Sequence, residues 1–148
     1  MIKIFIGSDR VGYDLKVWLV EKLTERDYEI IDMGPAEAKS VHYPMIGMSV
    51  ARNVAESSDG VGILVCSTGL GMSIAANKIK GVRAANCNST YLSEQSRLHN
   101  NANVLCLGSS VTTRADALRM VEVFILTPFE GGKHALRVKM LDEEAPDE

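Results

Sequence analysis

Short apolar runs rich in β-branched residues alternate along this chain with longer segments whose apolar residues have helical spacing. The predicted strands are Ile2–Ile6, Glu29–Asp32, Val61–Cys66, Val82–Asn86 and Val104–Leu107. The predicted helices are Tyr13–Arg26, Pro44–Ala55, Gly71–Lys78, Thr90–Leu98, Thr113–Leu126 and a last segment from Lys133 to Leu141. Because each strand is joined to the next through a helix, neighbouring strands must pair in parallel through right-handed crossovers. The pattern therefore predicts an α/β fold.

One strand indicates how the layers are arranged. Val61–Cys66 has no polar alternation, which is typical of a central strand buried on both faces. We predict a single-domain, Rossmann-like open parallel sheet of about five strands with helices on both faces. The 148 residues suit one domain, which we place at residues 1–141. Residues 142–148 are predicted to be an acidic, frayed tail.

The charge distribution narrows the classes of partner. The formal net charge is -3, but five carboxylates stand among the last seven residues, so the body of the chain is slightly positive. A basic stripe is absent and aromatic residues make up only 5% of the sequence, which argues against nucleic-acid binding. A mildly positive body suits a small anionic ligand instead.

Two features bear on the compartment. The amino-terminal apolar stretch breaks at Ser8, too early for a signal-peptide core, and glycines and hydroxyl residues interrupt the uncharged stretch 60–77. The three cysteines have long spacings, which predict neither a disulfide framework nor a zinc site. We therefore expect a cytoplasmic protein with no membrane partner.

The stretch Cys66–Ser73, with the sequence CSTGLGMS, follows the most apolar strand and leads into a helix. Its glycines allow backbone N–H groups to approach a ligand closely, and the start of a helix favours an anion such as a phosphate or a transient oxyanion. A thiolate at Cys66 could act there as base or nucleophile, although a buried structural cysteine fits the pattern equally well. A dinucleotide site is excluded because Ile74 stands where the third glycine of that fingerprint belongs.

Several longer motifs carry a family resemblance that runs from residue 2 to about 140. They are Gly7-Ser8-Asp9, Tyr43-Pro44, Cys66-x-Thr68-Gly69-x-Gly71-Met72-Ser73-Ile74-Ala75-Ala76-Asn77-Lys78, Gly81-Val82-Arg83-Ala84-Ala85, His99-Asn100-Asn101-Ala102-Asn103-Val104-Leu105 and Phe129-Glu130-Gly131-Gly132-x-His134-x-x-Arg137-Val138. In this order they resemble type B ribose-5-phosphate isomerase, in the wider family of ribose and galactose sugar-phosphate isomerases.

The resemblance implies a metal-independent aldose–ketose isomerase that works through a cis-enediol and needs no cofactor. Cys66 matches the base, His99 the group that opens the sugar ring, and Thr68 a group that moves a proton between sugar oxygens. The implied substrate-binding residues are Asp9, Arg10, Tyr43, Ser67, Gly69, Leu70, Gly71, Asn100, Lys133 and Arg137. The resemblance also implies a homodimer or a dimer of dimers, with each active site between two subunits.

Some positions depart from the family pattern, chiefly around the phosphate. Arg10 stands for a usual His, Ser110 for a frequent Arg and Lys133 for an Arg. Ser67 replaces a usual Gly, and His42 a frequent Asp. Ribose 5-phosphate is the first expected substrate. The alternative substrates are allose 6-phosphate, galactose 6-phosphate and a tetrose phosphate or another pentose phosphate. A sugar-phosphate-binding protein without catalysis is a further alternative.

Overall fold

The computed structural model describes residues 2–143, which form five strands and six helices. The strands are β1 (Lys3–Ser8), β2 (Glu29–Asp32), β3 (Val61–Cys66), β4 (Ala84–Asn86) and β5 (Val104–Gly108). The helices are α1 (Tyr13–Thr24), α2 (Tyr43–Glu56), α3 (Leu70–Ala76), α4 (Thr90–Leu98), α5 (Arg114–Leu126) and α6 (Lys133–Glu143).

The five strands form one parallel sheet in the order β2-β1-β3-β5-β4. The apolar strand β3 is central, as its sequence predicts, and Cys66 at its carboxyl end lies opposite Gly108 of β5. The predicted fold class is confirmed. In such a sheet the loops beyond the carboxyl ends of the strands form the usual ligand edge.

Each face of the sheet packs against its own apolar core. On one side Leu19 of α1 and Phe124 of α5 are fully buried, and on the other Val50 of α2 and Met72 of α3 are fully buried. Cys66 belongs to the second core. Helix α5 carries apolar residues on more than one face because it packs within its own chain against α1 and α4 as well as against the sheet.

The boundaries differ from the prediction in a few places. Val82 precedes β4 because its N–H donates to the carbonyl of Ile79 in a turn. Helix α6 continues to Glu143, and Asp142 in its last turn pairs with Arg83 at 2.9 Å. The rest of the predicted acidic tail lies outside the described residues. Within 2–143, every helix is too short or too polar to cross a bilayer.

Candidate active site

The carboxyl edge of the sheet carries Cys66 at the mouth of a tight loop. The Cys66 side chain is buried, with 6% of its surface exposed, and its Sγ accepts a hydrogen bond from the N–H of Gly69 at 3.2 Å. Gly69 has φ +84°, a left-handed conformation that suits glycine, and α3 begins at the next residue. This turn wraps the backbone of residues 67–69 around the sulfur.

Two N–H groups of the predicted anion-binding loop already have acceptors. The Gly69 N–H donates to Cys66, and the Leu70 N–H donates to Thr68 Oγ1 at 3.2 Å. The exposed hydroxyl of Thr68 therefore lies over the start of α3. These two donors therefore fix the shape of the loop itself.

Three glycines let neighbouring groups approach this loop closely. A Cβ at Gly71 would lie 2.7 Å from the Tyr43 ring, and one at Gly108 would lie 2.7 Å from the Thr68 backbone. A Cβ at Gly69 would collide with Asn86 Oδ1 at the end of β4. Asn86 was not predicted as a site residue. Its position at the carboxyl end of a predicted strand is the sequence feature that could have indicated it.

Asp9 and Arg10 follow β1 at the same edge. The Asp9 N–H donates to the carbonyl of Val65 at 3.2 Å, and its Oδ1 accepts the Gly12 N–H at 2.8 Å at the start of α1. Asp9 thus fixes the β1–α1 loop beside Cys66. The Arg10 side chain next to it is exposed.

Ser67 and Ser110 join two loops across the end of the central strands. Their hydroxyl oxygens lie 2.8 Å apart, and the Ser110 N–H donates to the Ser67 carbonyl at 2.9 Å. A neutral hydroxyl pair therefore lies in the loops at the carboxyl edge, starting at the residue after Cys66.

His99 lies at the opposite, amino edge of the sheet, where α4 ends. Its ring stacks on His134 of α6, with centroids 4.2 Å apart and 14° between the ring planes. His134 Nε2 lies 3.4 Å from Glu130 Oε1. Asn100 follows His99, and Lys133 and Arg137 are exposed on α6. Glu130 was not predicted as a site residue, because only the fold brings it to the two imidazoles.

Arginines hold this amino-edge group together. The Arg83 Nε donates to the carbonyl of Asn101 at 2.9 Å, while its Nη1 bonds Asp142 of α6. Arg97 donates to the carbonyls of Thr127 and Ala102. Burial lowers the pKa of Arg97, and the nearby positive charge of Arg83 lowers it further. The segment carrying His99 and the helix carrying Arg137 are therefore tied to the same side of the molecule.

The predicted residues fall into two separate groups. The group at the carboxyl edge consists of Asp9, Arg10, Tyr43, Cys66, Ser67, Thr68, Gly69, Leu70 and Gly71. The group at the amino edge consists of His99, Asn100, Lys133 and Arg137. The six residues of β3 separate these edges by about 20 Å at roughly 3.3 Å per residue. A cleft of about 380 Å³ at the amino edge is lined by Asn100 and Arg83 and includes no residue of the Cys66 loop. One chain does not bring Cys66 and His99 together.

Comparison with known proteins places this architecture in a family. The ribose/galactose isomerase family profile matches residues 4–141. Ribose-5-phosphate isomerase B of Escherichia coli is 42% identical over 141 residues, covering 95% of both chains. A Clostridium thermocellum ribose-5-phosphate isomerase B structure has a TM-score of 0.93 and 46% identity, with 95% of both chains covered. A Mycoplasma genitalium ribose-5-phosphate isomerase B structure with bound ribulose-5-phosphate has a TM-score of 0.93 and 38% identity, covering 96% of this chain and 95% of that one. The chain belongs to the ribose/galactose isomerase family.

Proposed function

We propose that this chain is an aldose–ketose isomerase that interconverts ribose 5-phosphate and ribulose 5-phosphate through a cis-enediol. The observation that carries the proposal is the position of Cys66, which ends the central strand and is enclosed by the Ser67–Gly71 loop in a member of this family. A ribulose-5-phosphate complex of a relative with the same fold supports this choice of sugar.

Cys66 is the proposed base. Its thiolate takes the proton from C2 of the open aldose, and the electron pair of the C–H bond forms the C1–C2 double bond while O1 takes up the negative charge. The exposed hydroxyl of Thr68 relays a proton from O2 to O1. The Cys66 thiol then returns its proton to C1, leaving the carbonyl at C2. One proton leaves C2, one reaches C1 and one moves from O2 to O1, so protons and electrons balance and no redox partner is needed.

The enediolate needs donors aimed at its oxygens. The N–H groups of Gly69 and Leu70 bond Cys66 and Thr68, so we assign the oxyanion to the N–H groups of Ser67, Thr68 and Gly71. A well-placed donor of this kind stabilises a transition state by about 3 kcal/mol. Tyr43, whose ring packs on Gly71, closes one side of the loop.

The substrate phosphate needs cations from both edges. Arg10 is exposed beside the Cys66 loop and can bind a phosphate through two N–H groups. Lys133 and Arg137 lie exposed on α6 at the other edge, next to His99 and Asn100. We assign ring opening to His99 and orientation of the sugar hydroxyls to Asp9 and Asn100.

A homodimer completes the proposed site. Because the two groups of residues lie at opposite edges of one chain, His99 reaches Cys66 only if it comes from a second copy. A two-fold dimer would make two such sites, since each copy gives its His99 to the other copy and receives the other copy's His99 in return. Exposed apolar side chains on α3, α4 and α6 supply contact surface near both groups: Leu70, Ile74, Tyr91, Leu92, Leu136, Met140 and Leu141. Exposed apolar side chains of this kind would also allow two such dimers to pair with each other.

The proposed compartment is the cytoplasm. Cys66, Cys87 and Cys106 are all free thiols in the described chain. Free cysteines of this kind are typical of a reducing compartment.

The proposal is tested by replacing the base. Cys66→Ala is expected to abolish turnover of ribose 5-phosphate while leaving the far-UV circular dichroism and the oligomeric state unchanged. Turnover in deuterium oxide should place solvent deuterium at C1 of the ribulose 5-phosphate, since a thiol proton exchanges with water. Wild-type turnover by Cys66→Ala would remove Cys66 as the base, and complete retention of the substrate hydrogen would replace the enediol with a hydride shift.

The neutral Ser67–Ser110 pair favours a second candidate substrate class, the hexose 6-phosphates. Two hydroxyls beside the base can bond an additional sugar hydroxyl, whereas a cation there would bind phosphate. A panel of ribose 5-phosphate, allose 6-phosphate, galactose 6-phosphate and erythrose 4-phosphate, ranked by kcat/KM, decides between them. Thermal stabilisation by these compounds without turnover of any would instead identify a binding protein.

A further inference from the structure

The cluster of His99, Glu130 and His134 contains three groups of the kinds that ligate transition metals. One ligand atom from each lies within 4.8 Å of the others. The His134 side chain is largely buried at 12% exposure, while Glu130 is half exposed. The cluster is therefore formed within the chain and is still open to solvent on the carboxylate side.

We infer that His99, Glu130 and His134 form a binding site for a divalent transition metal of the Zn²⁺ class, and that the metal inhibits the enzyme reversibly. Two imidazoles and one carboxylate form a ligand set that Zn²⁺ accepts, with a fourth position left for water. Hard cations such as Mg²⁺ prefer oxygen ligands and are not expected here.

The spacing of two of the ligands already suits the ion. Zn²⁺ holds imidazole nitrogen and carboxylate oxygen at about 2.0–2.2 Å, so two tetrahedral ligands lie about 3.4 Å apart. His134 Nε2 and Glu130 Oε1 are 3.4 Å apart. An ion can therefore enter between these two atoms without a backbone movement.

The third ligand must turn. His99 and His134 lie nearly parallel, so their nitrogen lone pairs do not converge on one point. Rotation of the His99 ring out of the stack brings its nitrogen toward the ion. His99 directly follows α4, at a half-buried position.

The inhibitory part of this inference rests on the proposed function, because it requires His99 to act in turnover. A metal-bound imidazole has no free lone pair with which to accept a proton from a sugar hydroxyl. An occupied site would therefore block ring opening in the active site that His99 shares with the second copy.

The binding test uses the full-length chain without a histidine tag. Co²⁺ is titrated and followed by its visible d–d absorption, and Zn²⁺ affinity is measured by competition with a chromophoric chelator. We expect one ion per chain, and at least about tenfold weaker binding in His134→Gln and in Glu130→Gln. His42→Gln is the matched control, since His42 is the remaining histidine of the sequence and precedes α2 outside the cluster. Binding that is absent at millimolar metal, or equally tight in His134→Gln, overturns the site.

The activity test compares each variant with and without Zn²⁺, with recovery by chelator. Wild type and His42→Gln should lose turnover as the metal site fills, and His134→Gln should need at least about tenfold more Zn²⁺. Equal inhibition of His134→Gln overturns the inference, because the metal then acts elsewhere, for instance at Cys66. If the metal site is saturated and turnover is unchanged, the metal site is supported. The proposed inhibition and the role assigned to His99 in turnover are then both wrong. Failure of the site and failure of the proposed function are thereby distinguished.

Discussion

Cys66 and His99 lie at opposite ends of the sheet of one chain. Cys66 ends β3 at the carboxyl edge. His99 directly follows α4 at the amino edge, where Glu130 donates its N–H to the carbonyl of Leu98 at 3.0 Å. About 20 Å of strand separates them. A pair of side chains with this separation can share one substrate only across a subunit contact.

Subunit complementation tests that relationship. Cys66→Ala and His99→Asn are each expected to be inactive alone. If the chain forms the proposed homodimer, half of the dimers in a co-expressed mixture contain one copy of each variant, and each such dimer has one intact site of two. We therefore expect about one quarter of wild-type activity, because the two sites of a two-fold dimer are each made from both chains. Activity that stays at the level of the single variants would place both residues in a site within one chain.

The Gly69 turn can be tested through stability with an internal control. Gly69 and Gly131 both have positive φ, at 84° and 72°, but a Cβ meets Asn86 at Gly69 and nothing within 4 Å at Gly131. Gly131→Ala should lower the free energy of unfolding by about 1 kcal/mol through backbone strain alone. Gly69→Ala should lower it by about 2–4 kcal/mol, because steric overlap adds to the strain. Urea unfolding at one protein concentration measures both, and equal losses would mean that Asn86 moves aside without cost.

The parts of the fold that the sequence predicts well are those with a local cause. Val61–Cys66 is apolar without interruption, so both its extent and its central position follow from burial. The loop after Cys66 is also predictable, because Gly69 and Gly71 directly follow the apolar run and indicate that a turn begins where the strand ends. Helix α4 is bounded by the Ser89 side chain, which accepts the Leu92 N–H and caps the helix.

The parts that could not be predicted depend on contacts between distant segments. Ser67 and Ser110 are 43 positions apart, and nothing in either local pattern indicates that their hydroxyls meet. The stack of His99 on His134 depends on how α6 docks against the end of α4. Glu130 joins this group for the same reason, so a single sequence gives no local signal for it.

Lys16 should be important for stability despite its charge. It is fully buried, and its Nζ donates to Asp32 Oδ1 at 2.8 Å and to the Pro35 carbonyl at 2.6 Å. Lys16→Met keeps the length of the side chain but leaves that buried carbonyl without its donor. We expect a loss of about 2–3 kcal/mol in the free energy of unfolding.

Lys3 provides the control for this measurement. Its Nζ lies 3.9 Å from Glu29 Oε2, and both side chains are exposed, at 39% and 50%. Lys3→Met should therefore change the free energy of unfolding by less than about 0.5 kcal/mol. Similar losses in Lys3→Met and Lys16→Met would contradict a special role for the buried amine.

Cys87 should make the stability of the protein depend on alkaline pH. Cys87 is 4% exposed, and burial raises the pKa of its thiol from 9.0 to about 11, with a side-chain hydrogen bond between Cys87 and Ser96 acting in the opposite direction. An unfolded chain releases this proton near pH 9, whereas the folded chain keeps it until about pH 11. The folded state therefore binds more protons in this window, and its stability falls as pH rises, by up to about 1.4 kcal/mol per pH unit.

The Cys87→Ala variant isolates this contribution. Urea unfolding of the wild type and of Cys87→Ala is measured at pH 8, 9.5 and 10.5. The two chains differ only at residue 87, so the contributions of residues that do not interact with Cys87 cancel in the difference. At pH 8 the thiol is largely protonated in both states, so the difference there is the reference value. Above pH 9 the wild type should lose stability relative to the variant, by about 2 kcal/mol at pH 10.5. A difference that stays constant over the whole range would mean that water reaches the Cys87 sulfur, because only desolvation holds the proton on the thiol.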